Sequence, residues 1–148
     1  MFTKILVPLD GSNLSEQALE PAIRIAEKFK ASILLLRVFT PELEPVAAGM
    51  TLRYPTLSHA HEHNECDKAE AYLRSMRAQW LGVGVPISTR TSTGSAPEMI
   101  LDAARNTQAD LIVMSTHGRT GLNRLVFGSV AEAVLRGTHL PVLLIPIK

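Results

Sequence analysis

Short apolar runs alternate with segments of helical periodicity along the chain, and this alternation restricts the possible folds more than any other feature of the sequence. Such runs are typical of strands buried on both faces of a sheet. Strands that alternate with helices favour parallel pairing through right-handed crossovers. We therefore predict an α/β fold, a doubly wound five-stranded parallel sheet with helices on both faces, built on residues 4–9, 32–39, 85–91, 110–114 and 141–146.

The apolar residues of the intervening segments recur at helical spacing. We predict helices over residues 13–29, 58–81, 96–106 and 129–137, and a long loop over 40–56. The first and last helices each begin with a capping-box pattern, in which a polar side chain caps the helix and a glutamate three residues later returns a hydrogen bond. The pairs are Asn13 with Glu16 and Ser129 with Glu132.

The chain has 148 residues, which fits a single domain over residues 1–148 that needs no disulfide or structural metal. Its formal net charge is +1, so we expect no nucleic-acid partner. The apolar runs are too short to span a bilayer, and no secretion signal is evident at the N-terminus. Together with the single cysteine, Cys66, these features favour a cytoplasmic protein without a membrane partner.

Three glycines and several hydroxyl residues follow the fourth predicted strand, between residues 115 and 130. Gly118, Gly121 and Gly128 permit positive φ and a close approach of backbone N–H groups to a ligand. Gly128 also precedes the last helix, whose N-terminus attracts negative charge. The segment therefore predicts a phosphate site, with a purely structural glycine-rich loop as the alternative.

Charged and titratable side chains accompany these glycines. Arg119 and Arg124 are candidates to pair with phosphate oxygens, although exposed arginines are more often simply solvated. His117 is a candidate phosphate contact or proton carrier, and a local structural role is the alternative. No nucleophile or orienting carboxylate is identifiable beside it, so the sequence does not indicate catalysis.

Asp10 follows the first predicted strand and begins an Asp-Gly-Ser sequence. Ligands of open α/β sheets bind beyond the carboxyl ends of the strands, where the strand order reverses. A carboxylate in that place accepts hydrogen bonds from ribose hydroxyls, while an Asp-Gly pair also favours a turn by itself. Both interpretations of Asp10 stay open. If the first and fourth strands are neighbours, Asp10 lies beside the glycine-rich segment.

A second group of polar side chains lies at the start of the long polar helix. His59, His61 and His63 precede Cys66, and on a helix His59 and His63 share a face with the cysteine one turn further on. A closed zinc site needs four well-placed ligands. We expect a solvated helix face here rather than a metal site, with zinc binding as the alternative.

Four segments in register resemble the universal stress protein family over the whole length of the chain. They are KILVPLDGS at the start, LLRVF, GSAPEMILDAARNTQADLIVMSTHGRTGL, and GSVAEAVLRGTHLPVLLI near the end. The resemblance implies a five-stranded parallel sheet of order 3-2-1-4-5 and, as in many family members, ATP binding at the carboxyl edge of the sheet. It also implies a homodimer in which the edge strand, Pro141 to Ile147, pairs antiparallel with its copy.

Nucleotide-binding members of that family share a motif of glycine, two residues, glycine, nine residues, glycine and then serine or threonine. Gly118, Gly128 and Ser129 match this motif, whereas Ser115 occupies the first glycine position. A serine there offers the same N–H, but its Cβ opposes positive φ at a cost of roughly 1 kcal/mol. This departure is the main support for a family member that binds no nucleotide.

The resemblance also implies roles for residues outside the motif. Asp10 matches an aspartate near the ribose, and Val38 matches a residue whose backbone contacts the adenine edge. The expected nucleotide-binding residues are Pro8, Asp10, Val38, Ser115, His117, Gly118, Arg119, Gly128, Ser129 and Val130.

The leading functional hypothesis is an ATP-binding stress-response regulator, in which nucleotide occupancy changes conformation or assembly and signals to a protein partner. ATP, AMP or ADP is the expected ligand, with Mg²⁺ carried by the nucleotide. Groups that stabilise phosphoryl transfer are present without a clear base, so we expect at most slow hydrolysis. The alternative is a dimeric interaction or scaffold protein of the same family that binds no nucleotide.

Overall fold

Helices and strands alternate along the part of the chain that the structure describes. The computed structural model describes residues 1–41, 59–116 and 127–147, and of residues 59–62 it describes the backbone alone. The predicted loop over 40–56 therefore falls almost entirely outside the described residues. In chain order the elements are β1 (Lys4–Pro8), α1 (Asn13–Glu16), α2 (Leu19–Phe29), β2 (Ser32–Phe39), α3 (His59–Ala78), β3 (Ile87–Thr93), α4 (Ala96–Asn106), β4 (Leu111–Ser115), α5 (Ser129–Gly137) and β5 (Val142–Ile145).

The strands form one parallel sheet in the order β3-β2-β1-β4-β5, which confirms the predicted architecture and strand order. β1 pairs with β2 from Lys4 opposite Ser32 to Pro8 opposite Leu36, and it pairs with β4 on its other side. The chain adds β2 and β3 on one side of β1 and then crosses to add β4 on the other. The topological switch point therefore lies between β1 and β4, where sheets of this type bind ligands.

Helices cover both faces of the sheet, as predicted. Ile5 and Val7 of β1 pack towards α2 and α3, whereas Leu6 packs towards α4 and α5, and all three side chains are fully buried. Because successive side chains of a strand point to opposite faces, a strand covered on both faces is apolar at every position. Among the described residues, no helix combines the length and the apolar composition needed to cross a bilayer.

The predicted helix over 13–29 is interrupted, and its capping residue is not the predicted one. Ser12 is the N-cap of α1, and its Oγ accepts the N–H of Ser15 at 3.2 Å. The Ser15 hydroxyl donates to the Ser12 carbonyl at 2.9 Å, which ties the first turn to the residue before it. A tight turn at residues 17 and 18 separates α1 from α2. The capping box of Asn13 and Glu16 is wrong because Ser12 already supplies the capping oxygen.

The capping box predicted for the last helix is also wrong. α5 begins at Ser129 as predicted, but its N-cap is Gly128, whose carbonyl accepts the N–H of Glu132 at 2.9 Å. The Glu132 carboxylate instead forms an ion pair with Arg136 at 2.8 Å on the helix surface. Gly128 has a φ of −54°, so the positive φ expected at this glycine is absent.

Four strands differ from their predicted bounds because hydrogen-bonded pairing decides where a strand ends. β1 and β5 are shorter than predicted, and β3 and β4 are shifted along the chain. β3 lies two residues later than predicted, since its ladder with β2 runs from Ile33 opposite Ile87 to Phe39 opposite Thr93. β4 extends to Ser115, which lies opposite Ile145 of β5. Both shifts move polar residues into the sheet near its carboxyl edge.

Asp110 fixes the start of β1 against the start of β4. Its carboxylate accepts the N–H of Thr3 at 2.8 Å, the N–H of Lys4 at 3.1 Å and the Thr3 hydroxyl at 2.6 Å. Partial burial acts to raise the pKa of this carboxyl, but the hydrogen bonds favour its charged form and lower the pKa below the usual value. The two strands that flank the switch point are thereby tied together at the opposite end of the sheet.

Candidate functional site

A cavity of about 280 Å³ opens at the carboxyl edge of the sheet, beside the switch point. The ends of β1, β2 and β4 and the first turns of α4 and α5 form its walls. A mostly apolar lining with a few polar groups is typical of small-molecule sites, and the volume lies near the lower end of their range. The lining residues are Pro8, Leu9, Asp10, Ser15, Leu36, Arg37, Val38, Ala96, Ile100, Met114, Ser115, Thr116, Gly128, Ser129, Val130 and Ala131.

The structure brings together every predicted site residue that it describes. These residues come from four separate parts of the chain and line the same cavity: Pro8, Asp10, Val38, Ser115, Gly128, Ser129 and Val130. The other three, His117, Gly118 and Arg119, lie outside the described residues, as do Gly121 and Arg124. Convergence in one cavity is a finding, whereas the role of each residue in binding stays a prediction.

Asp10 forms the turn that its sequence context allowed. Its Oδ1 accepts hydrogen bonds from the backbone N–H of Ser12 at 2.9 Å and from the Ser12 hydroxyl at 2.5 Å. Its own N–H donates to Ser15 Oγ at 3.2 Å. These bonds hold the aspartate at the mouth of the cavity in one orientation. The structural role is therefore present, and it positions the same side chain that the ribose hypothesis requires.

One backbone hydrogen bond brings the start of α5 to the end of β4, next to another that continues the pairing of β4 with β5. The N–H of Thr116 donates to the carbonyl of Ile145 at 3.0 Å, and the Thr116 carbonyl accepts the N–H of Gly128 at 2.6 Å. Residues 116 and 128 thus lie side by side. Because the first N–H groups of a helix have no partner within the helix, the first turn of α5 offers donors to an anion in the cavity.

Ser115 ends β4 in the backbone conformation of an ordinary strand. It is 7% exposed and lies opposite Ile145 in the pairing with β5. Among the described residues, the non-glycine residues with positive φ are Lys30 and Gln108, so Ser115 is not one of them. The backbone cost that the sequence predicts for a serine at this position is therefore absent.

The end of β2 contributes Arg37 and Val38 to the cavity. The Arg37 guanidinium donates from Nη1 to the carbonyl of Val38 at 3.1 Å. Arg37 and Asp10 are the charged residues among the described residues that line the cavity. Val38 was predicted through the family resemblance, whereas Arg37 was not predicted, although its position one residue earlier at the carboxyl end of β2 was a usable signal.

The apolar part of the lining, which includes Leu36, Met114 and Ile100, was not predicted as part of the site either. Leu36 and Met114 lie in predicted buried strands and Ile100 in a predicted helix, and all three are buried. An apolar residue at the carboxyl end of a strand or the start of a helix can pack in the core and also line the cavity. Burial alone therefore does not distinguish a core residue from a residue of the site.

Among the described side chains, no three His, Cys, Asp or Glu residues cluster in a way that could hold a metal ion. Most of the histidine group predicted at the start of α3 lies outside that set, so the solvated helix face stays a prediction. The side chains of His59 and His61 are outside the description, and His63 is exposed. Cys66 is a free thiol whose Sγ lies 3.6 Å from Thr91 Oγ1 and 3.9 Å from Glu70 Oε1.

Fold and cavity together define a doubly wound α/β domain with a ligand-sized cavity at the switch point. Residues 1–146 match the universal stress protein family, and the chain belongs to this family. Universal stress protein MJ0531 of Methanocaldococcus jannaschii is 34% identical over 145 residues, which cover 98% of this chain and 82% of that protein. Universal stress protein UspA from Lactobacillus plantarum superposes with a TM-score of 0.76 at 26% identity, covering 99% of this chain and 98% of that one.

Two other solved structures of the family contain a nucleotide. A universal stress protein in complex with cAMP has a TM-score of 0.71 at 21% identity, covering 99% of this chain and 98% of its own. A universal stress protein family protein from Arabidopsis thaliana with AMP bound has a TM-score of 0.67 at 18% identity, covering 99% and 92%. At these identities both show the shared fold.

Proposed function

We propose that this protein binds ATP or another adenine nucleotide in the cavity between β1 and β4, and that nucleotide occupancy regulates its conformation or assembly in a stress response. The observation that carries the proposal is the convergence of Asp10, Val38, Ser115 and the start of α5 on one cavity at the switch point. The cAMP and AMP complexes of the two family members support an adenine nucleotide as the ligand class.

Each group in the cavity suits a different part of a nucleotide. We propose that the Asp10 carboxylate, which is held by Ser12, accepts ribose hydroxyls and that the base lies against the end of β2 at Val38. The first turn of α5, with Ser129 and Val130, supplies donors for phosphate. His117, Gly118 and Arg119 belong to the phosphate end by sequence, and Mg²⁺ would be carried by the phosphates.

We propose a binding role with at most slow ATP hydrolysis. The described cavity wall contains the carboxylate of Asp10, which is already engaged with Ser12 through Oδ1. Phosphoryl transfer to water needs a group that orients the nucleophile. Asp10 lies at the ribose end in this proposal, away from the start of α5, so it does not serve that purpose. The free Cys66 thiol is compatible with the reducing cytoplasm, where we propose that the protein acts.

The test measures the ligand content of the protein and its affinity for ATP. Freshly purified protein is denatured and any released nucleotide identified by chromatography, and ATP is then titrated into stripped protein by calorimetry. Asp10→Asn keeps an acceptor for the turn but removes the charge, so we expect binding to weaken about tenfold. Asp67→Asn, an exposed position on α3, is the matched control and leaves affinity unchanged.

Absence of both released nucleotide and ATP binding contradicts the proposal and favours the alternative, a dimeric interaction protein that binds no nucleotide. Gly118→Val is the complementary variant, because a branched side chain in the glycine motif blocks close approach of phosphate to the backbone. Binding that is lost in Gly118→Val and weakened in Asp10→Asn assigns the nucleotide to this cavity.

We also propose a homodimer formed through the edge strand, Pro141 to Ile147. β5 pairs with β4 on one side of the sheet and is the last strand in the order. Its residues Val142–Ile145 are apolar and only half-buried. An apolar edge strand normally has to be covered, and antiparallel pairing with a second copy gives a closed two-fold assembly. Light scattering at micromolar concentration checks this: a monomer with and without ATP contradicts it.

A further inference from the structure

Ser15 of α1 is a hydroxyl residue buried in the wall of the cavity beside Asp10. It is 4% exposed, and both residues line the cavity. Among the described residues, Ser15 and Ser115 are the polar or charged residues that are buried. Because burying a hydroxyl is unfavourable unless it is hydrogen-bonded, the partners of Ser15 indicate what holds it there.

The hydroxyl oxygen of Ser15 holds the backbone at the point where β1 ends. The N–H of Leu9 donates across to β2, to the Leu36 carbonyl at 2.8 Å. The next N–H along the chain, that of Asp10, donates to Ser15 Oγ at 3.2 Å. The backbone of Asp10 is therefore held by a side chain of the helix that follows it.

Ser15 also holds the residue that binds the Asp10 carboxylate. The Ser15 hydroxyl donates to the Ser12 carbonyl at 2.9 Å, and the Ser15 N–H donates to Ser12 Oγ at 3.2 Å. Ser12 in turn donates to Asp10 Oδ1, from its N–H at 2.9 Å and from its hydroxyl at 2.5 Å. The three residues thus form a closed ring of hydrogen bonds, in which Ser15 holds the backbone of Asp10 directly and its carboxylate through Ser12.

We propose that Ser15 is a positioning residue for the ribose of the nucleotide, and that it gives the site its selectivity for nucleotides that carry the ribose hydroxyls. This inference rests on the proposed function, in which the Asp10 carboxylate accepts those hydroxyls. An acceptor that is already held in place binds a hydroxyl more tightly, because binding does not have to order the side chain. Ser15 acts through Asp10 and Ser12 and touches no ribose atom itself.

Loss of the Ser15 hydroxyl removes two of these hydrogen bonds together. In Ser15→Ala the Asp10 N–H loses its acceptor and the Ser12 carbonyl loses its donor. The Asp10 side chain then has more freedom, so less affinity is gained from the ribose hydroxyls. The base and the phosphates lie elsewhere in the proposed function, at Val38 and at the start of α5, and their contacts stay unchanged.

The experiment compares ATP with 2′,3′-dideoxy-ATP, which has the same base and triphosphate but lacks both ribose hydroxyls. Each nucleotide is titrated by calorimetry into stripped wild type, Ser15→Ala and Ser15→Thr. We expect wild type to bind ATP about tenfold more tightly than the dideoxy nucleotide. In Ser15→Ala this ratio should fall about fivefold, whereas Ser15→Thr keeps the hydroxyl and should keep the ratio within about twofold of wild type.

Ser88→Ala is the matched control. The Ser88 hydroxyl also donates to a backbone carbonyl, that of Ile33 at 3.2 Å, but Ser88 does not line the cavity. Both affinities should therefore be the same as in wild type. If thermal melting shows that Ser15→Ala does not fold, Ser12→Ala replaces it, because it removes the hydroxyl that donates to Asp10 Oδ1, and its ratio should also fall.

The ratio of the two affinities separates positioning from folding, since a loss of stability alone lowers both affinities equally. A ratio in Ser15→Ala within about twofold of wild type means that Ser15 serves the fold alone, and it overturns the inference. Wild type that binds ATP and the dideoxy nucleotide equally well also overturns it, while the proposed nucleotide binding stands. If wild type binds neither nucleotide, the proposed function itself fails, and this inference fails with it.

Discussion

The Tyr72 hydroxyl donates a hydrogen bond to Glu16 Oε1 at 2.9 Å and thereby connects α3 to α1. The residue before Glu16 is Ser15, which lines the cavity and accepts the N–H of Asp10 at 3.2 Å. The contact between α3 and α1 is thus linked, through Ser15, to the turn that positions Asp10.

Tyr72→Phe removes this hydrogen bond and keeps the ring. We expect the free energy of unfolding to fall by about 1–2 kcal/mol, because the acceptor is a partly buried carboxylate. Urea unfolding followed by the fluorescence of Trp80, the single tryptophan, measures the change. Glu16→Gln keeps an acceptor and should cost less. Equal losses in both variants would show that the charge of Glu16, and not the hydrogen bond, is what matters.

The same contact predicts how stability changes at high pH. Burial of the Tyr72 phenol, together with the hydrogen bond to Glu16 and its negative charge, raises the pKa of Tyr72 above its usual value. A group whose pKa is raised by folding contributes its full stabilisation below the unfolded pKa of about 10, and loses it as the pH rises towards the folded value. The difference in unfolding free energy between wild type and Tyr72→Phe should therefore shrink above about pH 10. Urea unfolding across that range would refute this if the difference stayed constant.

Asp110 predicts the opposite dependence at low pH. Because hydrogen bonds from Thr3 and Lys4 lower the pKa of Asp110, its stabilisation is present above the unfolded pKa of about 3.9 and is lost as the pH falls through the folded value. Asp110→Asn should cost about 1–2 kcal/mol at neutral pH and progressively less in acid. Asp102→Asn is the control, since Asp102 is half-exposed and pairs with Arg105 on the surface of α4. If the loss of stability in Asp110→Asn does not change with pH, the charge of Asp110 does not contribute to the stability of the fold.

Leu73 of α3 is fully buried between that helix and the sheet. Truncation to alanine leaves a cavity in a closely packed layer, so Leu73→Ala should lower the free energy of unfolding by about 2–5 kcal/mol. Leu81, just beyond the same helix, is 72% exposed. Leu81→Ala should therefore change the free energy of unfolding by less than about 0.5 kcal/mol. Denaturant unfolding of both variants tests whether α3 packs on the sheet, and similar small losses would contradict this packing.

The strands were predictable because a strand covered on both faces is apolar at every position, as Ile5, Leu6 and Val7 illustrate. The interruption of the helix over 13–29 was not predictable from apolar spacing, which continues through it. At the interruption the N–H groups of Gln17 and Ala18 donate to carbonyls three residues back, those of Leu14 and Ser15, instead of four residues back as in an α-helix.

The candidate site was predictable where a residue type has special chemistry, as with Asp10 and Ser129. Arg37 was missed for a different reason. Whether the end of β2 faces a cavity or a partner strand depends on where β1 stops, and that is set by pairing between strands distant in sequence. The residues next to Arg37 in the sequence give no indication that β1 ends at Pro8.

Ser115 is the position at which the chain departs from the family motif, and its strand conformation makes a direct prediction. Ser115→Gly restores the motif, yet we expect its affinity for ATP to stay within about twofold of wild type, because there is no positive φ for glycine to relieve. The variant should lose about 1 kcal/mol of stability, since glycine in a strand costs conformational entropy. Ser115→Val is the contrasting variant: its branched side chain fills part of a cavity of about 280 Å³, so ATP binding should weaken at least about tenfold. Calorimetric titration of ATP into wild type and both variants measures these affinities. A gain in affinity of tenfold or more in Ser115→Gly would mean that the serine restricts nucleotide binding. That result would strengthen the alternative of a family member that binds no nucleotide.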